Sequence, residues 1–374
     1  MRLIKSALVA VAIVASVFSG IGSASATPAT ISFTSGTVSG PHGHSVFDAI
    51  AYGNGHWVGY SSNGFAYVST DGKNFTEAGD TGYGYFADMT YGDGKFVLIG
   101  NNWSSVSSDN GQTWHTHGSF SGNDFWHVAF GDGKFVAAEN DSYTGVAVST
   151  DGYNWTEHTT GTLNQGWNDV AYGDGKFLVF NYHSIDASSD GGVTWTNVYH
   201  NDSLGSAIYS GAYGNGHWLV VSAGSSKLLT STNGTTWTVN DSVPVFKDYD
   251  WEEINYGSGT WFVTNLNLTG PSGVNSAMSQ DNGATWTLVP SSTGHLYHSA
   301  FGNNMLLSVG DNTNVTPTAT RTTSPIIWYT FPPATPNKPT LANTGLAGET
   351  LIWLGALGFA LMAVGYGFLK ARKF

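Results

Sequence analysis

Short apolar runs alternate with polar, glycine-rich breaks along most of the chain, at strand rather than helix spacing. The segment Asp169 to Trp195, DVAYGDGKFLVFNYHSIDASSDGGVTW, shows the pattern most cleanly. Its first break, Tyr172-Gly173-Asp174-Gly175-Lys176-Phe177, carries an Asp-Gly pair between apolar runs. Such a pair favours a tight hairpin, because the turn needs positive φ and glycine supplies it without steric cost. Its second break runs from Ser188 to Trp195. There a short carboxylate can accept backbone N–H groups, a glycine takes the left-handed position, and a tryptophan follows to pack. Two hairpin turns about 20 residues apart predict about four short strands.

The unit recurs. The first turn appears around Gly53, Gly92, Gly131, Gly173, Gly214, Gly257 and Gly302, at spacings of 39, 39, 42, 41, 43 and 45 residues. The second appears around Asp71, Asp109, Asp151, Asp190, Asn233 and Asp281. Four strands per repeat of this length predict the blade of a β-propeller, and seven first turns predict seven blades. The expected fold is therefore all-β, with blade bodies near 46–80, 85–119, 124–160, 166–200, 207–242, 250–290 and 295–331. The sixth is longest, with an expanded loop around Asn265 to Asn275. The last repeat lacks the second turn, and Thr30 to Val38 reads like the outer strand Trp155 to Leu163. An N-terminal strand completing the last blade is thus expected, with Ile326 to Thr330 as the competing outer strand. Such closure hides an open sheet edge.

Composition bears on the two ends. Of 374 residues none is Cys, which excludes disulfides, thiolate metal ligands and a Cys nucleophile. Arg2 and Lys5, the apolar run Ala7 to Phe18 and the small residues Ala24-Ser25-Ala26 predict a secretory signal peptide over 1–26. The propeller then occupies 27–332, and a Pro-rich spacer 333–340. Leu341-Ala342-Asn343-Thr344-Gly345 follows, and residues 346–374 hold an apolar run long enough to span a bilayer, with a basic tail. This end resembles the sorting signal of Gram-positive surface proteins read by sortases, with Ala342 where the usual motif has Pro. The resemblance implies cleavage between Thr344 and Gly345, and joining of Thr344 to peptidoglycan. The expected location is the extracellular surface, anchored to the cell wall, or to the membrane if sorting does not occur. Residues 27–344 keep 8 Lys and Arg against 25 Asp and Glu, a net charge of −17. That surface repels nucleic acid.

The second turn resembles the Asp-box, Ser-x-Asp-x-Gly-x-Thr-Trp. Ser107 to Trp114, Ser188 to Trp195 and Ser279 to Trp286 match it fully; the copies at Asp71, Asp151 and Asn233 are one residue shorter. Propellers of that family include sialidases, other glycosidases, sorting receptors and photosystem assembly factors. The resemblance implies that the six box residues are structural and lie away from the ligand face. A sialidase clamps its carboxylated substrate with three arginines. Between residues 27 and 344 there is one, Arg321, which argues against that activity.

Two candidate sites remain. The cluster Asp248-Tyr249-Asp250-Trp251-Glu252-Glu253 offers Asp250, Glu252 and Glu253 as the paired acids a glycoside hydrolase needs. The second follows from aligning the seven innermost strands on their first-turn glycines. Four residues earlier stand Ala49, Asp88, His127, Asp169, Ser210, Glu253 and His298, five of them ionisable. Innermost strands line a propeller's channel, so these residues are expected to ring one mouth. With Trp126, Trp167, Tyr209, Trp251 and Tyr297 nearby, the ring is the expected ligand face for a neutral glycan or an extended peptide. Metal signals are poor: His42/His44 and His115/His117 are lone pairs, and acidic loops without an EF-hand pattern make only a weak case for Ca²⁺. No cofactor is expected. A non-catalytic surface module for a glycan or protein ligand is the leading expectation; a hydrolase of neutral polysaccharide and an assembly scaffold are the alternatives.

Overall fold

A computed structural model describes residues 34–42, 47–82, 85–118, 124–140, 145–160, 166–202, 207–222, 227–241, 251–265, 274–290, 296–310 and 326–331, with single positions 120, 204, 243, 246 and 249. Seven antiparallel sheets follow one another as blades, each starting at its innermost strand. The innermost strands are Phe47–Gly53, Asp88–Gly92, Phe125–Gly131, Asp169–Gly173, Ile208–Gly214, Trp251–Gly257 and Leu296–Gly302. Each touches the next, and the seventh returns to the first, so the sheets close into a ring. The protein is a seven-bladed all-β propeller of four-stranded blades, one of which has an added fifth strand.

The N-terminal segment makes the closure. Thr34–Ser35 pairs antiparallel with Ile326–Thr330 as the outermost strand of blade 7, so Ile326–Thr330 is third in that sheet rather than outermost. Two residues on, Thr37–Ser39 lies parallel to Asn74–Asp80 as a fifth strand of blade 1. One short stretch therefore covers edges of both the first and the last blade. His42 secures it: its backbone N–H and Nδ1 meet the Glu77 carboxylate at 3.1 and 2.6 Å, and its ring stacks on Phe65 at 4.2 Å.

The first turns place two consecutive residues at positive φ, as at Asp93 (47°) and Gly94 (75°). This is the type I′ geometry whose twist matches a hairpin. The glycine before each pair has a different reason to be glycine. A Cβ on Gly53 would lie 2.0 Å from the ring of Tyr91 in the next blade. The same meeting recurs for Gly92 with Phe130, Gly131 with Tyr172, Gly173 with Tyr213, Gly214 with Tyr256, Gly257 with Phe301, and Gly302 with Tyr52. An aromatic residue from each blade thus lies flat on the glycine of the blade before it, all the way round. Between blades sit seven apolar clusters, one per interface.

In the second turns the carboxylate binds its own loop. Asp71 Oδ1 accepts N–H groups of Lys73 and Asn74 at 2.8 and 2.9 Å, and the Ser69 hydroxyl at 2.8 Å. Asp109, Asp151, Asp190 and Asp281 repeat this, and Asn233 does so with its amide oxygen. Burial lifts these carboxyls, but the donated hydrogen bonds outweigh it, holding Asp151 at about 2 and Asp71 and Asp190 below the usual carboxylate range. First and second turns lie on one face of the ring and tie neighbouring blades together. Asn54 donates to Asn110 at 2.9 Å, Asn215 to Asn282 at 3.0 Å, and Lys134 to the Asp190 carbonyl at 2.9 Å.

Candidate functional site

The opposite face holds the loops that lead into the innermost strands, and the channel mouth. Asp88, His127, Asp169, Ser210, Glu253 and His298 stand there on blades 2 to 7. Charges on non-neighbouring blades sense one another: Glu253 on blade 6 feels Asp88 on blade 2 and Asp169 on blade 4, and His127 on blade 3 feels His298 on blade 7. Only the interior of the ring connects those blades, so these side chains converge on the channel. Ala49, from blade 1, is buried between blades at 1% exposure and adds no polar group.

Several ring residues also staple blades. Asp88 accepts the N–H of Val128 in the next blade at 2.8 Å, and Asp169 accepts the Ser210 hydroxyl and the Gly211 N–H at 2.7 and 3.2 Å. Ser210 in turn accepts the Ile254 N–H at 3.2 Å. Glu253 accepts the Asn255 amide at 2.8 Å and the Ser299 hydroxyl of the next blade at 3.3 Å. These side chains keep part of their surface open, but the protein around them still replaces much of their water, and burial pushes Asp88 up to about 6. Burial, with the charge of Asp88 adding, pushes Asp169 up to about 7. Glu253 is raised well above the usual range, by burial first and then by Asp88, Asp169 and Glu252. Burial lowers His127 and His298 to about 4, His298 adding to the effect on His127. Among the described residues neither imidazole has a hydrogen-bond partner. Glu252 is lifted to about 7 by burial, and its Oε2 is buried with no hydrogen bond.

Two expected members of the ligand face are placed elsewhere. Trp167 and Trp251 are 0% exposed, packed in the clusters between blades 3 and 4 and between blades 5 and 6. For Trp251 the reason is a bulge at the start of the innermost strand. Ladder register shifts between Phe47 and Ala49, Phe125 and His127, Ile208 and Ser210, Trp251 and Glu253, and Leu296 and His298, whereas Trp167 precedes its strand. One extra residue reverses the facing, so side chains two apart point oppositely instead of alike. The extra residues are Asp48, Trp126, Tyr209 and Glu252, all half-buried, and Tyr297, whose side chain lies outside the described residues together with Asp248 and Asp250. The mouth also carries Tyr85, 52% exposed, which sequence alignment on the glycines missed because it precedes its strand. Its ring lies 6.5 Å from that of Trp126. His42 is committed to Glu77, and His44 lies outside the described residues. His115 and His117 lie exposed on the outermost strand of blade 2, His117 against Tyr153. No group of three or more metal-ligating side chains forms among the described residues. Residues 1–26, the spacer, Leu341 to Gly345 and the apolar tail lie outside the described residues, as does the expanded loop of blade 6 between Asn265 and Val274.

No protein-family model matches the sequence, and no curated protein matches it. Solved structures do. A catalytically inactive virginiamycin B lyase from Staphylococcus aureus with quinupristin is 11% identical over 81% of this chain and 99% of its own, with a TM-score of 0.64. YCF48 bound to D1 peptide is 12% identical over 80% and 97%, at 0.57. The WD40 propeller domain of Doa1 is 11% identical over 80% and 97%, at 0.58. Likeness at this identity reaches the architecture and stops there: the chain shares the propeller fold with proteins of quite different chemistry.

Proposed function

We propose that the chain is a non-catalytic binding module that captures a protein or glycan ligand at its channel mouth. The observation that carries this reading is the convergence, on one face, of polar side chains from six blades beside the half-exposed aromatics Tyr85, Trp126 and Tyr209. The other face is consumed by turn-to-turn ties. Burial of Trp167 and Trp251 removes two sugar-stacking surfaces and shifts weight toward an extended peptide. YCF48, of the same fold, holds a peptide, and a scaffold role would use the same mouth. The second turns fit an Asp-box ancestry, in which they serve the fold. The ends of the chain fit export and sortase anchoring, which would set the module on the cell wall.

The hydrolase reading keeps one favouring observation. Glu252 is a carboxyl raised to about 7 at the mouth, close enough to Glu253 to raise it further, and a raised carboxyl suits a proton donor. Asp88, Asp169 and Glu253 also accept hydrogen bonds that hold neighbouring blades together. Probing glycan and peptide arrays with the purified chain, then incubating every hit, separates the readings. Retention of intact ligand, lost on Trp126→Ala, supports the binding module. Cleavage abolished by Glu252→Gln supports the hydrolase.

A further inference from the structure

Among the described residues the mouth gathers four carboxyls, Asp88, Asp169, Glu252 and Glu253, and its uncommitted donors are the N–H groups of two imidazoles and the Trp126 indole. The hydroxyls of Ser210 and Ser299 are committed to Asp169 and Glu253. His127 and His298, both partly exposed, have no ring-nitrogen partner among the described residues. Among the described residues, Lys95 and Lys176 pair with Asp93 and Asp174 on the turn face and Lys134 binds the Asp190 carbonyl, while Lys227, on the mouth side, is held by the Leu204 carbonyl. No salt bridge among the described residues reaches Asp88, Asp169, Glu252 or Glu253. Beside Asp88, the ring of Tyr85 stands exposed next to that of Trp126, and the indole Nε1 of Trp126 is buried without a partner. Aromatic faces beside carboxylates suit a cation carrying several N–H donors.

From this placement we propose that the channel mouth takes an organic ammonium or guanidinium, the basic side chain of a partner peptide being the source the mouth fits best. The cation meets Asp88, Asp169 and Glu253, its N–H groups reach the unpartnered imidazoles, and Tyr85 and Trp126 cover its alkyl stem. This rests on the binding-module reading and names its ligand. Crowding and burial keep protons on part of the acid ring near neutral pH, so an arriving cation expels them. The groups that set the pH response are Asp88, His127, Asp169, Glu252, Glu253 and His298, together with Asp48 at the bulge of blade 1. Lowering the pH from 8 to 5 refills the carboxyls, and approaching 4 it charges the imidazoles. Both changes weaken capture.

Isothermal titration of the full-length chain with a lysine-containing pentapeptide, its acetyllysine counterpart and spermidine tests the proposal. The lysine peptide is expected to bind with proton release at pH 7, at least about tenfold more tightly than the acetylated one, and more weakly at pH 5. Asp88→Asn and Asp169→Asn remove the charge and leave an amide oxygen for the cross-blade bond, at the cost of an NH2 facing the Met89 or Val170 N–H, and each is expected to cost about tenfold or more in affinity. Trp126→Ala, away from the staples, checks the same site should either variant melt early. Asp93→Asn and Asp174→Asn, on the turn face, are expected to leave binding unchanged. Binding of spermidine alone supports the cation site and assigns a small-molecule source. Equal binding of lysine and acetyllysine peptides, or full binding by all three mouth variants, overturns the proposal. So does the absence of any cation binding. In that last case, array ligands that still lose binding on Trp126→Ala would leave the binding-module reading standing without its cation.

Discussion

At the scale of single residues, the ring is held by contacts that leave no room for substitution. Gly131 shows the point, because a Cβ there would lie 2.0 Å from the Tyr172 ring, whereas Gly133 has nothing within 4 Å and only a φ of +70°. Gly131→Ala is expected to cost roughly 1–3 kcal/mol by forcing that ring away, and Gly133→Ala about 1 kcal/mol from backbone strain alone. Urea unfolding midpoints of the two variants check the order. Trp167→Ala, which empties a buried site between blades, is expected to cost roughly 3–5 kcal/mol and to leave ligand affinity of the folded protein unchanged. Asp169 gives a pH test. Its folded pKa, about 7, lies above that of an unfolded aspartate, so its contribution is full below about 4 and is lost as pH rises through 7. His127 and His298, lowered to about 4, work in the opposite sense: their contribution is full above about 6.5 and is lost as pH falls through 4. Asp169→Asn should therefore lose less stability than the parent between pH 5 and 8, measured as the difference in Tm across that range.

At the scale of strands, the repeat was readable because each blade carries two turn signals at fixed places, and the expected bodies agree with the strands to within a few residues. The N-terminal strand was readable from its likeness to another outermost strand and from the missing second turn of blade 7. The parallel fifth strand of blade 1 was not, since Thr37–Ser39 gains its partner only once the ring has closed. The bulge was the costlier omission. Nothing in Trp251 announces an extra residue in the ladder, nor in Trp167 that its strand starts only at Asp169, and strict alternation sent both indoles toward the mouth. The repeated aromatic–glycine pairs, from Tyr52-Gly53 to Phe301-Gly302, were visible in the sequence, but their partners are a blade apart and only the fold brings them together. Removing residues 27–40 should unpair Ile326–Thr330 and Asn74–Asp80 at once. A lowered Tm together with concentration-dependent association on size-exclusion chromatography is the expected result, because both edges then lie open.

At the scale of the molecule, the two faces divide the work. Six ring positions were legible as one register of seven aligned strands, and their convergence is what the closed ring adds. On the turn face, ties join blades 1 and 2, 3 and 4, and 5 and 6, while the mouth, whose acids also staple blades, keeps the exposed ring of Tyr85 and the half-buried Trp126 and Tyr209. The most direct measurement is hydrogen–deuterium exchange of the chain with and without a bound array ligand. The expected result is protection confined to the strand-leading segments at 85–88, 124–127, 207–210 and 251–253, with the turns around Asp71, Asp109, Asp151 and Asp190 unchanged. Protection centred on those turns, or on the outermost strands, would contradict a binding site at the channel mouth.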